Sequence, residues 1–134
     1  MIRTVKQLLY ITRTSTQLAE QMAEIVSDET WKQQFILYLE DITRQYKLWQ
    51  YIHYLLAGAY EESDSGKIVT ASVSELLYAL CSNELKKGML CRKASEMLSG
   101  AAQKAADHSL QQAIQYSQLF FTMIKNQLVH QIGR

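Results

Sequence analysis

The middle of the chain carries an unbroken helical pattern that leaves few alternatives for the fold. Large apolar side chains recur there at alternating steps of four and three residues, with one amide in their row: Trp31, Phe35, Tyr38, Ile42, Gln45, Trp49, Ile52 and Leu56. This spacing places them all on one stripe of an α-helix that faces other helices. The chain has no proline, so no position forces such a helix to break.

The same period recurs in three other segments, and we predict helices over residues 2–26, 28–58, 72–98 and 101–131. Asp28, with its polar neighbours, supplies a cap for the second helix. Ser72 and Glu75 have the spacing of a capping box at the start of the third. Gly100 ends that helix, and the fourth then begins near Ala101 or, as the alternative, near Asp107.

We therefore predict a single all-α domain over residues 1–134, an antiparallel four-helix bundle. The very short link between the first two helices forces them into an antiparallel hairpin. Residues 59–71 form a longer connection that crosses the bundle end to end and joins two such hairpins. We expect its acidic run to be solvated, and Ile68 and Val69 either to pack along the bundle or to pair weakly as an extended segment.

Composition excludes several classes of protein. The 14 basic and 13 acidic residues nearly balance, so the basic surface of a nucleic-acid-binding protein is lacking. No run approaches the ~18 apolar residues of a membrane span. Cys81 and Cys91 lie ten residues apart on one predicted helix, about 15 Å along its axis, and cannot form a disulfide. We expect a soluble, unprocessed cytoplasmic protein with reduced thiols.

Polar residues interrupt the inward row of each predicted helix near its middle. The third row contains Glu84 and Lys87, and the fourth runs through Leu110, Ile114, Ser117, Phe121, Ile124 and Leu128. We predict that these interruptions form one polar layer across the bundle, flanked by the aliphatic residues Ile42 and Ile114. The members of that layer are Thr12, Gln45, Glu84, Lys87 and Ser117.

The sequence of residues 41–46, Asp-Ile-Thr-Arg-Gln-Tyr, resembles the Asp-Glu-x-Arg-His-Tyr motif of the rubrerythrin and ferritin-like di-iron family. Residues 15–23 are similar to the first helix of that family, although Ala19 stands where the family has tyrosine. Residues 29–38 are similar to the start of its second helix, and the third and fourth helices agree in phase. The resemblance implies a ferritin-like bundle and a dimeric assembly.

The resemblance also implies which positions would hold the metal ions. They are Thr12, Ile42, Gln45, Glu84, Ile114 and Ser117, and only Glu84 is a ligand of the family type. Iron needs several carboxylate or imidazole ligands, so we expect no di-iron centre and no cofactor. We hypothesise that the Lys87 ammonium replaces the metal charge beside Glu84, while Gln45, Thr12 and Ser117 complete the hydrogen bonds.

Three functions stay open at this point. The first is a non-catalytic structural or interaction protein. The second is an oxidoreductase or metal-binding protein with a reduced site around Glu84, aided by His53. The third is a bundle that binds a small ligand in the cavity left by the metal ions, because Thr12 and Ser117 are small. We favour the first, as a homodimer or with another protein partner. A second apolar stripe would form its dimer face: Leu37, Leu48, Tyr51, Leu55, Leu76, Leu90 and Met97.

Overall fold

The computed structural model describes residues 1–63 and 71–132. These residues form four helices: α1 (Ile2–Ile25), α2 (Glu29–Ala57), α3 (Val73–Met97) and α4 (Gly100–Ile132). The predicted bounds are confirmed to within one residue at every end. The alternative start of the fourth helix at Asp107 is wrong, since α4 begins directly after a two-residue link from α3.

Local capping explains where the helices begin and end. The Asp28 side chain accepts a hydrogen bond from the Trp31 amide at 2.9 Å, and Ser72 forms the predicted capping box with Glu75 at the start of α3. Helix α2 ends at Gly58, whose φ of 76° lies in the left-handed region that glycine adopts without strain. These contacts satisfy backbone groups that a helix terminus leaves unpaired.

The direction of each helix follows from the two apolar clusters of the core. One cluster joins the beginning of α1 to the ends of α2 and α3 and to the beginning of α4, through Val5, Leu8, Trp49, Ile52, Cys91, Ala94 and Ala106. The other contains Met22 near the end of α1, Phe35 near the beginning of α2, Leu77 near the beginning of α3 and Ile124 towards the end of α4. Helices α1 and α4 therefore run in one direction, and α2 and α3 in the other. The connection from α2 to α3 joins opposite ends of the bundle, as predicted.

Aromatic side chains fill the space between α2 and α4, which approach each other less closely than the other neighbouring pairs. The Tyr38 ring packs edge-on against Tyr116 and Phe120, with centroids 4.7 and 5.1 Å away. Phe35 stacks on Phe120 at 5.7 Å. Helix α4 instead packs closely on α3, where Gly88 faces Ala113 and Leu110.

The described beginning of the long connection folds back against α2. Gln50 donates a hydrogen bond to the carbonyl of Glu61 at 3.1 Å, and the Ser63 amide donates one to the Tyr46 hydroxyl at 2.9 Å. Glu61 is partly exposed and Glu62 is exposed, so the described acidic residues of this connection reach solvent, as predicted. Ile68 and Val69 lie outside the described residues.

The predicted dimer face is not a continuous exposed surface. Leu76 is buried in the core, and Leu48 and Leu90 are half-buried against the cluster around Trp49. The inclusion of Leu76 is therefore wrong, because its side chain belongs to the apolar cluster that also contains Leu77 and Leu80. The remaining members are exposed: Leu37, Tyr51, Leu55 and Met97.

No helix in the described part of the chain is both long and apolar enough to cross a membrane.

Candidate functional site: a buried glutamate–lysine pair

Glu84 and Lys87 lie in the middle of α3 and both face the core, as predicted. Their side chains are 0% and 1% exposed, which is rare for charged residues unless they are paired. The Lys87 Nζ atom lies 2.9 Å from each oxygen of the Glu84 carboxylate. The spacing of three residues makes this contact possible within one helix.

Tyr38 of α2 is the second partner of the carboxylate, and the sequence analysis did not assign it this role. Its hydroxyl donates a hydrogen bond to Oε1 of Glu84, and its ring lies 5.9 Å from the Lys87 ammonium. Burial, followed by the charge of Glu84 and the hydrogen bond to it, raises the pKa of Tyr38 well above its usual range. The phenol therefore stays protonated and remains a donor to the carboxylate.

The hydrogen bonds that we predicted around Glu84 are arranged differently. Gln45 is buried, but its amide nitrogen donates to Gln112 of α4 rather than to Glu84. The buried hydroxyl of Thr12 has no hydrogen-bond partner among the described residues. Ile42 is fully buried beside this region, as predicted. Four residues of the predicted polar layer, Thr12, Gln45, Glu84 and Lys87, are thus buried. Tyr38 bonds to Glu84, and Gln112 bonds to Gln45.

The predictions for Ile114 and Ser117 of α4 are wrong, whereas Ile124 of the same predicted row is buried in the core. Ile114 is 44% exposed, and the Ser117 hydroxyl donates to the Ile114 carbonyl of its own helix at 2.8 Å. A different row of α4 faces the core: Ala106, Ser109, Ala113, Phe120 and Met123. The first three of these residues are small. The small side chains let α4 lie close to α3 around Gly88. Of the row that hydrophobicity alone favours, Ile114, Phe121 and Leu128 are exposed, whereas Leu110 is half-buried against the core and Ile124 is buried in it.

A second polar contact between α2 and α4 lies at the edge of the aromatic layer. The Tyr116 hydroxyl donates to Asp41, and Arg44 lies 2.8 Å from the same carboxylate. Partial burial acts to raise the pKa of Asp41, but the hydrogen bonds from Tyr116 and Arg44 and the charge of Arg44 outweigh it and lower the pKa. Burial and the bond to Asp41 raise the pKa of Tyr116 well above its ordinary value. Asp41 is therefore charged and accepts the hydrogen bond of the Tyr116 hydroxyl, which stays protonated.

The residues of the polar layer do not fit a di-iron centre. Glu84 is the only carboxylate among them. Its Oε1 atom accepts hydrogen bonds from Lys87 and Tyr38, and its Oε2 atom lies 2.9 Å from the Lys87 ammonium but accepts no hydrogen bond among the described residues. In the described part of the chain, no three histidine, cysteine, aspartate or glutamate side chains converge in a way that could hold a metal ion. We therefore derive no redox step through iron at this layer.

His53 does not supplement Glu84. It lies 15 residues after Tyr38 on α2, which separates the two levels by roughly 22 Å along the helix. Its Nδ1 atom lies 2.7 Å from the carbonyl oxygen of Ala59, and its Nε2 atom lies 3.8 Å from Glu61. The prediction that His53 shares a site with Glu84 is wrong, because His53 instead contacts the first residues of the long connection.

Cys91 lies on the inward face of α3 one turn after Lys87. Burial raises the pKa of the Cys91 thiol to about 12, although the charge of Lys87 acts in the opposite direction. Burial and the charge of Glu84 also raise the pKa of Cys81. Thiols with raised pKa values are poor nucleophiles at neutral pH, so neither cysteine is activated for catalysis by its surroundings.

Two of the clefts on the surface of the bundle lie along the middle of α3. A groove of about 620 Å³ lies between α1 and α3 and is lined by residues such as Lys6, Tyr10 and Met89. A cleft of about 220 Å³ between α3 and α4 reaches Glu84 and Ser117. Neither includes Thr12 or Gln45, and Ser117 borders an outer cleft rather than the bundle centre. The premise that Thr12 and Ser117 jointly enlarge a central cavity is therefore wrong for Ser117.

The fold and the site define an up-down-down-up four-helix bundle with a paired glutamate and lysine at its centre. Searches against models of protein families, curated proteins and solved structures find no match for this chain.

Proposed function

We propose that the chain is a non-catalytic ferritin-like bundle that has lost its di-iron centre and acts as a cytoplasmic structural or interaction protein, as a homodimer. The observation that carries the proposal is the double occupation of the Glu84 carboxylate by the Lys87 ammonium and the Tyr38 hydroxyl. The ammonium lies 2.9 Å from the second oxygen as well, so it occupies the place beside the carboxylate where a cation would bind. The up-down-down-up order of the helices, with one long crossover, is the arrangement of ferritin-like folds.

The charge balance of the layer supports the same proposal. A di-iron site places cations among several carboxylates, whereas this layer has one carboxylate and one ammonium. The layer is therefore neutral without a metal ion, and a divalent cation beside Lys87 would be repelled by its like charge. The other polar members contribute hydroxyl and amide groups, which are weak ligands for iron.

Metal content tests the proposal against its alternative, a metal-binding oxidoreductase. The full chain is purified without chelator, incubated with ferrous iron, manganese or zinc, passed through a desalting column and analysed by elemental mass spectrometry. We expect background metal for the wild-type chain and for Glu84→Ala alike. Stoichiometric metal in the wild-type chain that is lost in Glu84→Ala, but kept in the surface control Glu20→Ala, would overturn the proposal.

A further inference from the structure

The groove between α1 and α3, the α1–α3 groove, is bordered by positive charge. Its lining includes Arg3, Lys6 and Lys86, and no described residue that lines it is acidic. Arg3 and Lys86 form no ion pair with any described residue. The Lys6 ammonium lies 4.0 Å from the carboxylate of Glu61, and a pair of solvent-exposed side chains at this distance is weak. The groove therefore attracts anionic groups.

The sequence extends this charge asymmetry along both walls of the groove. Residues 2–19 of α1 contain no aspartate or glutamate. Residues 76–95 of α3 contain only Glu84, which is buried and paired with Lys87. The chain as a whole has nearly equal numbers of acidic and basic residues, so its carboxylates are concentrated elsewhere. A local excess of positive charge on a nearly neutral protein indicates a surface that recognises anions.

Apolar side chains line the groove between its cations. Ile11 and Leu90 are half-buried, whereas Tyr10 and Met89 are 48% and 74% exposed. Methionine side chains are flexible and adapt their shape to a bound apolar surface. The volume of the groove, about 620 Å³, falls within the range of roughly 300–1,000 Å³ that is usual for small-molecule sites. This combination suits a ligand with an apolar body and an anionic group.

The antiparallel course of α1 and α3 fixes the order of these groups. Asn83 of α3 donates a hydrogen bond to Ser15 of α1 at 3.1 Å, which places these two residues at one level. Lys86 follows one turn later on α3 and lies near that end of the groove. Arg3 and Lys6 lie one turn apart towards the beginning of α1, and Arg3 is about 13 Å along the axis from the level of Lys86. The groove therefore has two cations at one end, an apolar middle and a further cation at the other end.

We propose that the α1–α3 groove binds a small amphipathic anion, an aliphatic chain that ends in a carboxylate. The carboxylate lies between Arg3 and Lys6, where the planar guanidinium of Arg3 donates two hydrogen bonds to it and the Lys6 ammonium donates a third. The chain runs along Leu90 and Met89 towards Lys86, whose charge repels a cationic ligand. The proposal goes beyond the proposed function, because it requires neither the polar layer nor a second copy of the chain.

An aliphatic chain fits the groove better than a helix of a partner protein does. Helices α1 and α3 pack directly against each other. The gap between two packed helices is narrower than a third helix, which measures about 10–12 Å across with its side chains. A helix would therefore rest on the exposed residues Tyr10 and Met89, whereas a single chain reaches the half-buried residues Ile11 and Leu90.

Isothermal titration calorimetry of the full chain with dodecanoate, below its micelle concentration, tests the site. An extended chain advances about 1.2 Å per single bond, so the twelve carbons of dodecanoate match the distance from Arg3 to the level of Lys86. We expect one molecule to bind per chain, with a dissociation constant raised at least about tenfold in the double variant Arg3→Gln, Lys6→Gln, which loses both cations around the carboxylate. Arg13→Gln is the matched control, since Arg13 is also exposed on α1 but does not line the groove. We expect it to bind dodecanoate as the wild type does.

Matched ligands show whether the carboxylate and the chain are both recognised. Acetate lacks the chain and dodecyltrimethylammonium reverses the charge, and we expect each to bind at least about tenfold more weakly than dodecanoate. Equal binding of either ligand, equal weakening by Arg13→Gln, or no saturable binding of dodecanoate would overturn the proposal. Binding of a synthetic amphipathic helix of leucine, alanine and glutamate without binding of dodecanoate would also overturn it, and would assign the groove to a protein partner.

The methyl resonances of methionine locate the ligand in the wild-type chain. Met89 lines the groove, whereas Met97, which is 51% exposed on the same helix, does not. In protein labelled with ¹³C at the methionine methyl groups, we expect dodecanoate to shift the Met89 resonance, assigned with Met89→Leu, and to leave that of Met97 unchanged. A shift of Met97 as large as that of Met89, or an unshifted Met89, would contradict the proposed site.

Discussion

At the scale of single residues, the centre of the bundle is organised by the need to satisfy one buried carboxylate. Glu84 accepts from Lys87 of its own helix and from Tyr38 of α2, so the two partners come from different elements. A buried charge costs several kcal/mol unless it is paired and hydrogen-bonded. Tyr38 therefore links the folding of α2 to the charge on α3.

Tyr38→Phe removes the hydroxyl donor and keeps the ring among Tyr116 and Phe120. We expect a loss of about 1.5–3 kcal/mol in the free energy of unfolding, the usual range for a hydrogen bond to a charged group. Urea denaturation measures this loss. Tyr51→Phe is the control, since Tyr51 is exposed on α2, and equal stabilities of the two variants would contradict the role of Tyr38.

The raised pKa values of Tyr38 and Tyr116 predict sensitivity to alkaline pH. Both groups hold their protons more tightly in the folded chain than in the unfolded one. Their contribution is complete below the unfolded pKa of about 10 and is lost as pH rises above it. Stability should therefore fall above about pH 10, less steeply in the double variant Tyr38→Phe, Tyr116→Phe, as measured by urea denaturation. An unchanged slope in the double variant would show that these phenols ionise freely.

Cys91 should be inert in the folded chain. Its thiol is buried and has a pKa raised to about 12, so little thiolate forms near pH 8 and none is accessible. We expect a chromogenic disulfide reagent to leave Cys91 unmodified in the Cys81→Ser variant until denaturant is added. The Cys91→Ser variant, in which Cys81 is partly exposed, is the comparison and should react in the folded state. Rapid labelling of native Cys91 would contradict its burial.

At the scale of elements, α4 shows where a sequence pattern leads to the wrong face. An analysis of apolar period selects the more hydrophobic row, of which Ile114, Phe121 and Leu128 are exposed in the structure. The inner row of α4 begins with Ala106, Ser109 and Ala113, which bury little area by themselves but allow close packing on α3. Gln112 can accept the hydrogen bond from Gln45 only because α4 turns its inner row towards the core. Which row of α4 faces the core depends on how closely the axes of α3 and α4 can approach. The sequence of one helix alone does not give that distance.

The phase of α4 is tested by adding volume on each side of the helix. Ala113→Leu places a large side chain at a buried position that faces Gly88 of α3, and overpacking of a helix contact costs about 1–3 kcal/mol. Gln115→Leu adds a leucine to an exposed position two residues away and should change stability by less than about 0.5 kcal/mol. Thermal and urea melts of the two variants provide the comparison. A tolerated leucine at position 113 would contradict the observed phase.

At the scale of the whole molecule, the sequence predicts architecture better than it predicts the site. The four helices and their order follow from the regular rows of α1, α2 and α3 and from local caps such as Ser72 and Asp28. Glu84 and Lys87 were found because charges in an apolar row stand out. Tyr38 was missed as a donor because an aromatic residue in such a row does not stand out, and its hydroxyl gains a role only when α2 meets α3.

The crossover also shows how global topology decides local contacts. Because α2 and α3 run in the same direction, the end of α2 must connect to the far end of the bundle. His53, Gln50 and Tyr46 fasten the first residues of that connection to α2. His53 and Tyr46 are aromatic, and the apolar pattern of α2 does not distinguish them from side chains that pack in the core.

The free energy of unfolding of Lys87→Met tests most directly whether Lys87 neutralises Glu84 in the core. Removing the ammonium strands a buried carboxylate, and we predict a loss of about 3–5 kcal/mol, of which more than half returns in the double variant Lys87→Met, Glu84→Gln. Lys86→Met, at the exposed neighbouring position, should change stability by less than about 0.5 kcal/mol. A loss in Lys87→Met as small as that of Lys86→Met, or no recovery in the double variant, would contradict the account.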